Sequence, residues 1–172
     1  CRAGAYDEGL NDICWERIYQ RDHRVLVNQL GAWETALALM HEFFPRAGAG
    51  APDLTADPQV SEPGDQRWIL NEVGLCLMNL GRLREAVPFY ERSNDIALVM
   101  DDWHNASVGT QNLAELYLHL GDLAAGAEAA REALRLARRA ENRRDERTSL
   151  AYLAWAEYLR GETLTNRLRR SN

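Results

Sequence analysis

A glycine that ends one helix and opens the next recurs along this chain at a fixed distance, and that recurrence restricts the fold more than any other feature. Leu80-Gly81-Arg82-Leu83 is followed forty residues later by Leu120-Gly121-Asp122-Leu123, and forty later again by Arg160-Gly161-Glu162-Thr163. An earlier copy, Leu30-Gly31-Ala32-Trp33, stands fifty residues before the first, as though ten residues had been inserted. Self-similarity with a period of roughly 20–50 residues marks a chain built from stacked copies of one supersecondary unit. Glycine suits the joint because helices commonly close on a left-handed residue, a conformation that costs glycine little.

The apolar pattern between these joints is helical. Tyr6, Leu10, Ile13, Cys14 and Ile18 predict an amphipathic helix over 6–19. Asp22 predicts the cap of a short second helix through Leu30, ended by Gly31. A third helix over 32–44 points Trp33, Ala36, Leu37, Met40, Phe43 and Phe44 inward and stops at Pro45. From Pro45 to Gln66 the pattern is lost, and four of the five prolines (Pro45, Pro52, Pro58 and Pro63) fall there, which predicts a loop or partly disordered insertion. Its Ala47-Gly48-Ala49-Gly50 follows a helix rather than a strand and lacks a third glycine, so it reads as linker and not as a phosphate loop. Helix pairs follow at 66–80 with 83–100, at 103–120 (capped by Asp102) with 123–140, and at 143–160 with a truncated partner over 162–170. Pro88 falls inside one of these helices, where it predicts a lost hydrogen bond and a kink. The expected organisation is therefore residues 1–45 as N-terminal helices ending in a hairpin, 46–65 as a Pro/Gly-rich loop, and 66–172 as repeats (66–100, 103–140 and a truncated 143–172).

Small and large residues recur at matching places. Val73-Gly74, Leu80-Gly81, Leu83, Ala86, Tyr90 and Ser93 become Leu113-Ala114, Leu120-Gly121, Leu123, Gly126, Ala130 and Ala133 forty residues on, and Leu153-Ala154 and Gly161 after another forty. Small residues at 74, 114, 154, 86 and 126 let paired helices approach closely, while larger ones fill the space between hairpins. This pattern resembles the tetratricopeptide (TPR) repeat. The resemblance implies an all-α fold, a TPR-like α-α superhelical solenoid of antiparallel helix hairpins. The period of forty exceeds the usual thirty-four, the proline at the repeat end is missing, and Asn166 stands where a small residue is expected, so the repeats look like the long variants of kinesin light chains.

A second resemblance covers most of the chain. Ala3-Gly4-Ala5-Tyr6-Asp7-Glu8-Gly9-Leu10, Trp15-Glu16-Arg17-Ile18 and Leu30-Gly31-Ala32 are similar to the start of the C-terminal helical array of bacterial STAND-type regulatory NTPases. Gly81-Arg82-Leu83, Glu85-Ala86-Val87, Asp102-Trp103, Asn105-Ala106 and Asn112-Leu113 continue it. It implies a sensor or autoinhibitory array whose nucleotide-binding motor lies upstream. The chain begins at Cys1 and stops partway through a repeat, and it reads as a piece of a longer protein.

Composition closes several other routes. All 20 basic residues are arginine, so no lysine exists for a P-loop or a Schiff base. The arginine-only set is associated with GC-rich bacterial genomes. No apolar run nears the roughly 20 residues that cross a bilayer, and no membrane partner is expected. Cys1, Cys14 and Cys76 are widely spaced with no C-x-x-C pair, as in a reduced, cytoplasmic protein. Cys14 and Cys76 fall on apolar faces and read as core. His23, His41, His104 and His119 are scattered, His41-Glu42 is followed by Phe43-Phe44-Pro45 rather than completing H-E-x-x-H, and no Gly-x-Ser-x-Gly elbow is present. The expectation is no enzyme, with no catalytic residues, no cofactor and no metal site.

The remaining expectation is protein recognition. On the helices that would line the concave face of a TPR array, Trp68, Asn71, Leu75, Gln111, Glu115, His119, Trp155 and Tyr158 would share a groove of aromatic and polar groups suited to a protein or peptide segment, or to another domain of the parent chain. The plainer alternative is that the aromatics fill contacts between hairpins. The carboxylate clamp of chaperone-binding TPRs needs basic residues where this chain has Asn71, Leu75, Asn112, Thr148 and Tyr152, which argues against a chaperone tail. Residues 131–172 carry a balance of +5, leaving -11 on residues 1–130. Arg131, Arg135 and Arg138 share one stripe as a possible basic ridge for an acidic partner. Interleaved Glu132, Glu141, Asp145 and Glu146 favour a solvated, self-paired face, and leave little for nucleic acid. A structural scaffold, pairing as a homodimer through the open terminal hairpin, is the competing function.

Overall fold

In the computed structural model, which describes residues 2–48 and 50–161, nearly all regular backbone is helical. The chain divides into two compact units, Cys1–Ser93 and Asn94–Asn172.

The first unit opens with α1 (Arg2–Glu8), which passes into a wider helix over Gly9–Tyr19 closed by i→i+5 hydrogen bonds. This corrects the single α-helix expected over 6–19. The wide helix buries Leu10, Cys14 and Tyr19 and leaves Ile13 50% exposed. Steps of four and five residues follow its slower winding, whereas the α-helical spacing would have turned Ile13 inward. The short helix expected from Asp22 also starts later: Arg21–His23 is one 3-10 turn, and Val25–Gln29 is a single wide turn preceded by Arg24 in the left-handed conformation, φ 46°. Helix α2 (Trp33–His41) buries Ala36, Leu37 and Met40 and packs on α3 (Pro63–Asn79).

Between α2 and α3 the chain makes a small hairpin, β1 (Arg46–Ala47) antiparallel to β2 (Ala51–Pro52), with Arg46 opposite Pro52. The rest of this connection is tied down by polar contacts. The guanidinium of Arg92 donates to the carbonyls of Leu54 (2.9 Å) and Ala56 (2.6 Å) and to the Asp57 carboxylate (2.9 Å). The Asp7 carboxylate accepts from the Ser61 amide (2.8 Å) and hydroxyl (2.7 Å), which holds its carboxyl below the usual range. Val60 is buried beside them in sequence. Pro63 then starts α3, a first-turn position where its missing N–H costs nothing.

From α3 onward the helices keep time. Helices α3, α4 (Leu83–Val99), α5 (Trp103–His119), α6 (Leu123–Arg139) and α7 (Arg143–Leu159) are each 17 residues long. Helix α4 runs through Pro88 without ending there, although that residue offers no N–H to the carbonyl of Arg84 one turn back. Asp102 caps α5 as expected, accepting from the Asn105 amide at 3.1 Å. The truncated helix expected over 162–170 lies outside the described residues.

Close packing explains the small residues. A Cβ on Gly74 of α3 would lie 3.0 Å from the Tyr90 ring of α4, and one on Gly126 of α6 would lie 2.7 Å from Leu118 of α5. In the second unit α5 packs on α6, α6 on α7, and α5 also meets α7.

The turns are left-handed at Gly81 (φ 75°) and Gly121 (φ 79°), and also at Asp101 (φ 55°) and Glu141 (φ 52°). The true structural beat is therefore a helix and turn of twenty residues, half the sequence repeat, and its alternate turns carry a side chain where glycine would be at ease. Glu141→Gly is expected to raise stability by about 0.5–1 kcal/mol, read as a higher urea midpoint. A lower midpoint would show that Glu141 makes a contact outweighing its backbone cost.

Candidate protein-interaction surface

Helices α5 and α7 meet through a buried polar clasp. Gln111, one turn before Glu115 on α5, is only 6% exposed. Its side-chain amide donates to the Asp145 carbonyl (3.0 Å) and the Ser149 hydroxyl (3.1 Å) of α7 and to Ser107 (3.3 Å) of its own helix. The expectation that Gln111 faces an open groove is thus corrected. Its amide is spent inside the helix interface, where leaving it unpaired would be costly. At the N-terminal end of α7, His104 Nδ1 lies 2.8 Å from the partly buried Asp145 carboxylate.

One turn further along α5 and α7 the surface opens. Tyr152 donates its hydroxyl to Glu115 at 2.6 Å, and burial, helped by that carboxylate, pushes the phenol well above its ordinary pKa. His119 Nε2 stands 3.7 Å from the other oxygen of Glu115, and its ring meets Trp155 edge-on at 5.5 Å. Tyr152 lies 6.5 Å from Trp155. The indole packs against Leu118, Ala127 and Ala156, so it is anchored below while its upper part stays accessible. Tyr158, a turn beyond Trp155, is 72% exposed. The structure brings Glu115, His119 and Trp155 together in the second unit and adds Tyr152, while Tyr158 stands exposed further along α7. Tyr152 stands three residues before Trp155 on α7, and that i, i+3 spacing, which places both rings on one face, is the sequence signal for it.

The tetratricopeptide-repeat family model matches residues 69–98 and 111–139. These segments are tetratricopeptide repeats. No curated protein matches the chain. In TPR terms the fold is all-α, a stack of helix hairpins, and such repeats are generally non-catalytic modules for protein interaction or scaffolding. Glu115 and His119 lie within the second TPR match, and Tyr152 and Trp155 on the helix that follows it.

The TPR residues expected as groove positions in the first unit have a different surrounding. Trp68 is packed edge-on by Trp15 at 5.5 Å and Tyr19 at 5.4 Å, both from the wide helix. Asn71 joins the polar group around the buried Glu72, and Leu75 is half-buried. The carboxylate of Glu72 is 1% exposed and takes the Arg24 guanidinium at 2.6 Å. Cys14 and Cys76 are buried near it, and burial with the Glu72 charge pushes each thiol up to about 12. They are inert small hydrophobes at neutral pH.

The arginines of α6 are exposed and already paired. Arg131 meets Glu128 at 3.2 Å, Arg135 meets Glu132 at 2.9 Å, and Arg138 stands 3.8 Å from Glu146. Arg139 stacks on the Trp103 ring at 3.6 Å. The ridge is a self-compensated face. Among the described residues there is no cluster of three or more His, Cys, Asp or Glu that could hold a metal ion, and no helix long and apolar enough to cross a membrane.

Proposed function

We propose that this chain is a non-catalytic protein-binding TPR module that reads a protein or peptide segment on the α5–α7 face, with Trp155 and Tyr158 as aromatic anchors and Glu115, His119 and Tyr152 as orienting polar groups. The observation that carries the reading is the pairing of a part-exposed indole, held from below, with a half-buried carboxylate beside it. Aromatic anchors in partly desolvated settings dominate binding energy at protein interfaces. The chain would serve as the sensor or regulatory array of a larger bacterial signalling protein in the cytoplasm, where a ligand favouring the released form shifts a population of packed and free states. That context rests on the sequence resemblance to STAND-type NTPases.

The test is a random peptide display selection on the chain, followed by titration of the selected peptides against a Glu115→Gln/Trp155→Ala/Tyr158→Ala variant of unchanged helical signal. Loss of a hot-spot aromatic is worth roughly 2 kcal/mol or more, so affinity should fall at least about tenfold. Peptides that bind the variant as tightly as the parent chain would remove recognition from this face.

A second reading, a self-associating scaffold, draws on α7, which leaves Leu150 47%, Tyr158 72% and Leu159 43% exposed among the described residues. Light scattering across concentration separates the two: a monomer favours the binding module, a concentration-dependent dimer the scaffold.

A further inference from the structure

The Glu115 carboxylate is set among aromatic rings on the α5–α7 face. Tyr152 donates to one of its oxygens at 2.6 Å, and the Tyr152 and Trp155 rings, 6.5 Å apart and inclined by 33°, form one aromatic surface beside it. His119 meets Trp155 edge-on at 5.5 Å. Solvent reaches this group: the Glu115 side chain keeps 29% of its exposure and His119 47%, while Tyr152 and Trp155 are half-buried.

The carboxylate is short of a cation. Its two oxygens offer about four acceptor positions, of which Tyr152 takes one. The second oxygen has His119 Nε2 at 3.7 Å, beyond hydrogen-bond length. Glu128, Glu132 and Glu146 of the same unit each face an arginine, at 3.2, 2.9 and 3.8 Å. Glu115 has no arginine partner among the described residues, and α5 itself contains no arginine. Elsewhere the chain shows how it seats a guanidinium on an indole, with Arg139 lying 3.6 Å over the Trp103 ring. A planar guanidinium suits the Glu115 setting in the same way, since its edge donates to a carboxylate while its face lies on neighbouring rings.

We propose that the group recognised on this face is an arginine side chain of the partner segment, its guanidinium donating to Glu115 and lying against Tyr152 and Trp155. The inference rests on the reading of the α5–α7 face as the binding surface and adds the chemistry of what binds there. Lysine fits less well, because an ammonium has no flat face to lay on the rings.

The experiment starts from peptides selected on the whole chain from a random display library, divided by whether the Glu115→Gln/Trp155→Ala/Tyr158→Ala variant still binds them. Each arginine of the face-dependent peptides is then replaced in turn by citrulline, its uncharged isostere, and by lysine. The expected result is one arginine in every face-dependent peptide whose citrulline replacement weakens binding about tenfold or more, the size of a charge-assisted hydrogen bond, with lysine in between. Against Glu115→Gln alone, which keeps an acceptor for Tyr152, the citrulline penalty should shrink below about threefold. Face-dependent peptides that lack arginine, that tolerate citrulline, that bind as tightly with lysine, or that show an equal citrulline penalty on the parent and on Glu115→Gln overturn the inference and leave the face as the binding surface. Selection of no peptide, or only of peptides indifferent to the triple variant, overturns both.

Discussion

Arg24→Ala should lower the unfolding free energy by about 3–5 kcal/mol at neutral pH, because it strands the buried Glu72 carboxylate without its cation. Glu72 is 1% exposed, whereas the Arg24 side chain retains 27% of its exposure, so the carboxylate bears most of the desolvation. The backbone contribution cancels, since arginine and alanine both meet the left-handed φ of 46° with a Cβ. The loss also carries a pH signature. Burial raises the Glu72 carboxyl above its ordinary value of 4.5, and Arg24 opposes that rise. A raised carboxyl holds its proton more tightly folded than unfolded, so its contribution to stability falls as pH climbs from the ordinary value through the folded one. Removing Arg24 widens that window. The difference between variant and parent should therefore be greatest near neutrality and shrink toward pH 4, and Glu72→Gln added to Arg24→Ala should recover part of it. Urea midpoints measured across that range decide the matter. A loss independent of pH and unrelieved by Glu72→Gln would mean that Arg24 acts through packing of its stem and not through its charge.

Tyr90→Ala should cost about 3–5 kcal/mol, the range for truncating a large buried aromatic. Tyr90 is fully buried, and its ring occupies the space that the absent side chain of Gly74 leaves open, 3.0 Å from where a Cβ would be. The two positions are consequently coupled. Gly74→Ala alone forces the ring or the helix to shift, an overpacking cost of about 1–3 kcal/mol that exceeds the roughly 1 kcal/mol gained in helix propensity. In the Tyr90→Ala background the obstruction is gone and the same Gly74→Ala change should stabilise. A double-mutant cycle by chemical denaturation reads this change of sign. Additive effects would show that Gly74 is required for some reason other than the ring.

The repeat architecture was legible because it rests on local rules. Gly81 and Gly121 stand where the backbone turns left-handed, Asp102 where a helix needs its amides capped, and Gly74 and Gly126 where two helices come too close for a Cβ. Each is a residue type with one dominant physical use. The intermediate turns at Asp101 and Glu141 are not legible in the same way, because a positive φ stays uncommon even at Asp, where it is enriched, and has no special preference for Glu. The N-terminal segment is ambiguous in sequence for a related reason. Its apolar residues fit a 3.6-residue period nearly as well as a wider one, and only the packing of Leu10, Cys14 and Tyr19 into the core selects the wider winding.

For the candidate surface the division is similar. Glu115, His119, Trp155 and Tyr158 could be placed on the faces of their helices from spacing alone. Gln111 sits on the same stripe, yet its amide is consumed by Asp145 and Ser149. Burial of a polar group depends on partners 34 and 38 residues away, which no helical period encodes.

By itself the sequence determined the helix count of each repeat, the joints, the small-residue contacts and the all-α class, since these follow from φ preference, capping and side-chain volume read over neighbouring residues. Only the tertiary structure decided which polar groups are spent inside: Arg24 on Glu72, Arg92 on the carbonyls of Leu54 and Ala56, Gln111 on α7, and the α6 arginines on their own glutamates. The reason is that a charge or an amide has no fixed preference for surface or interior until its partner is in place.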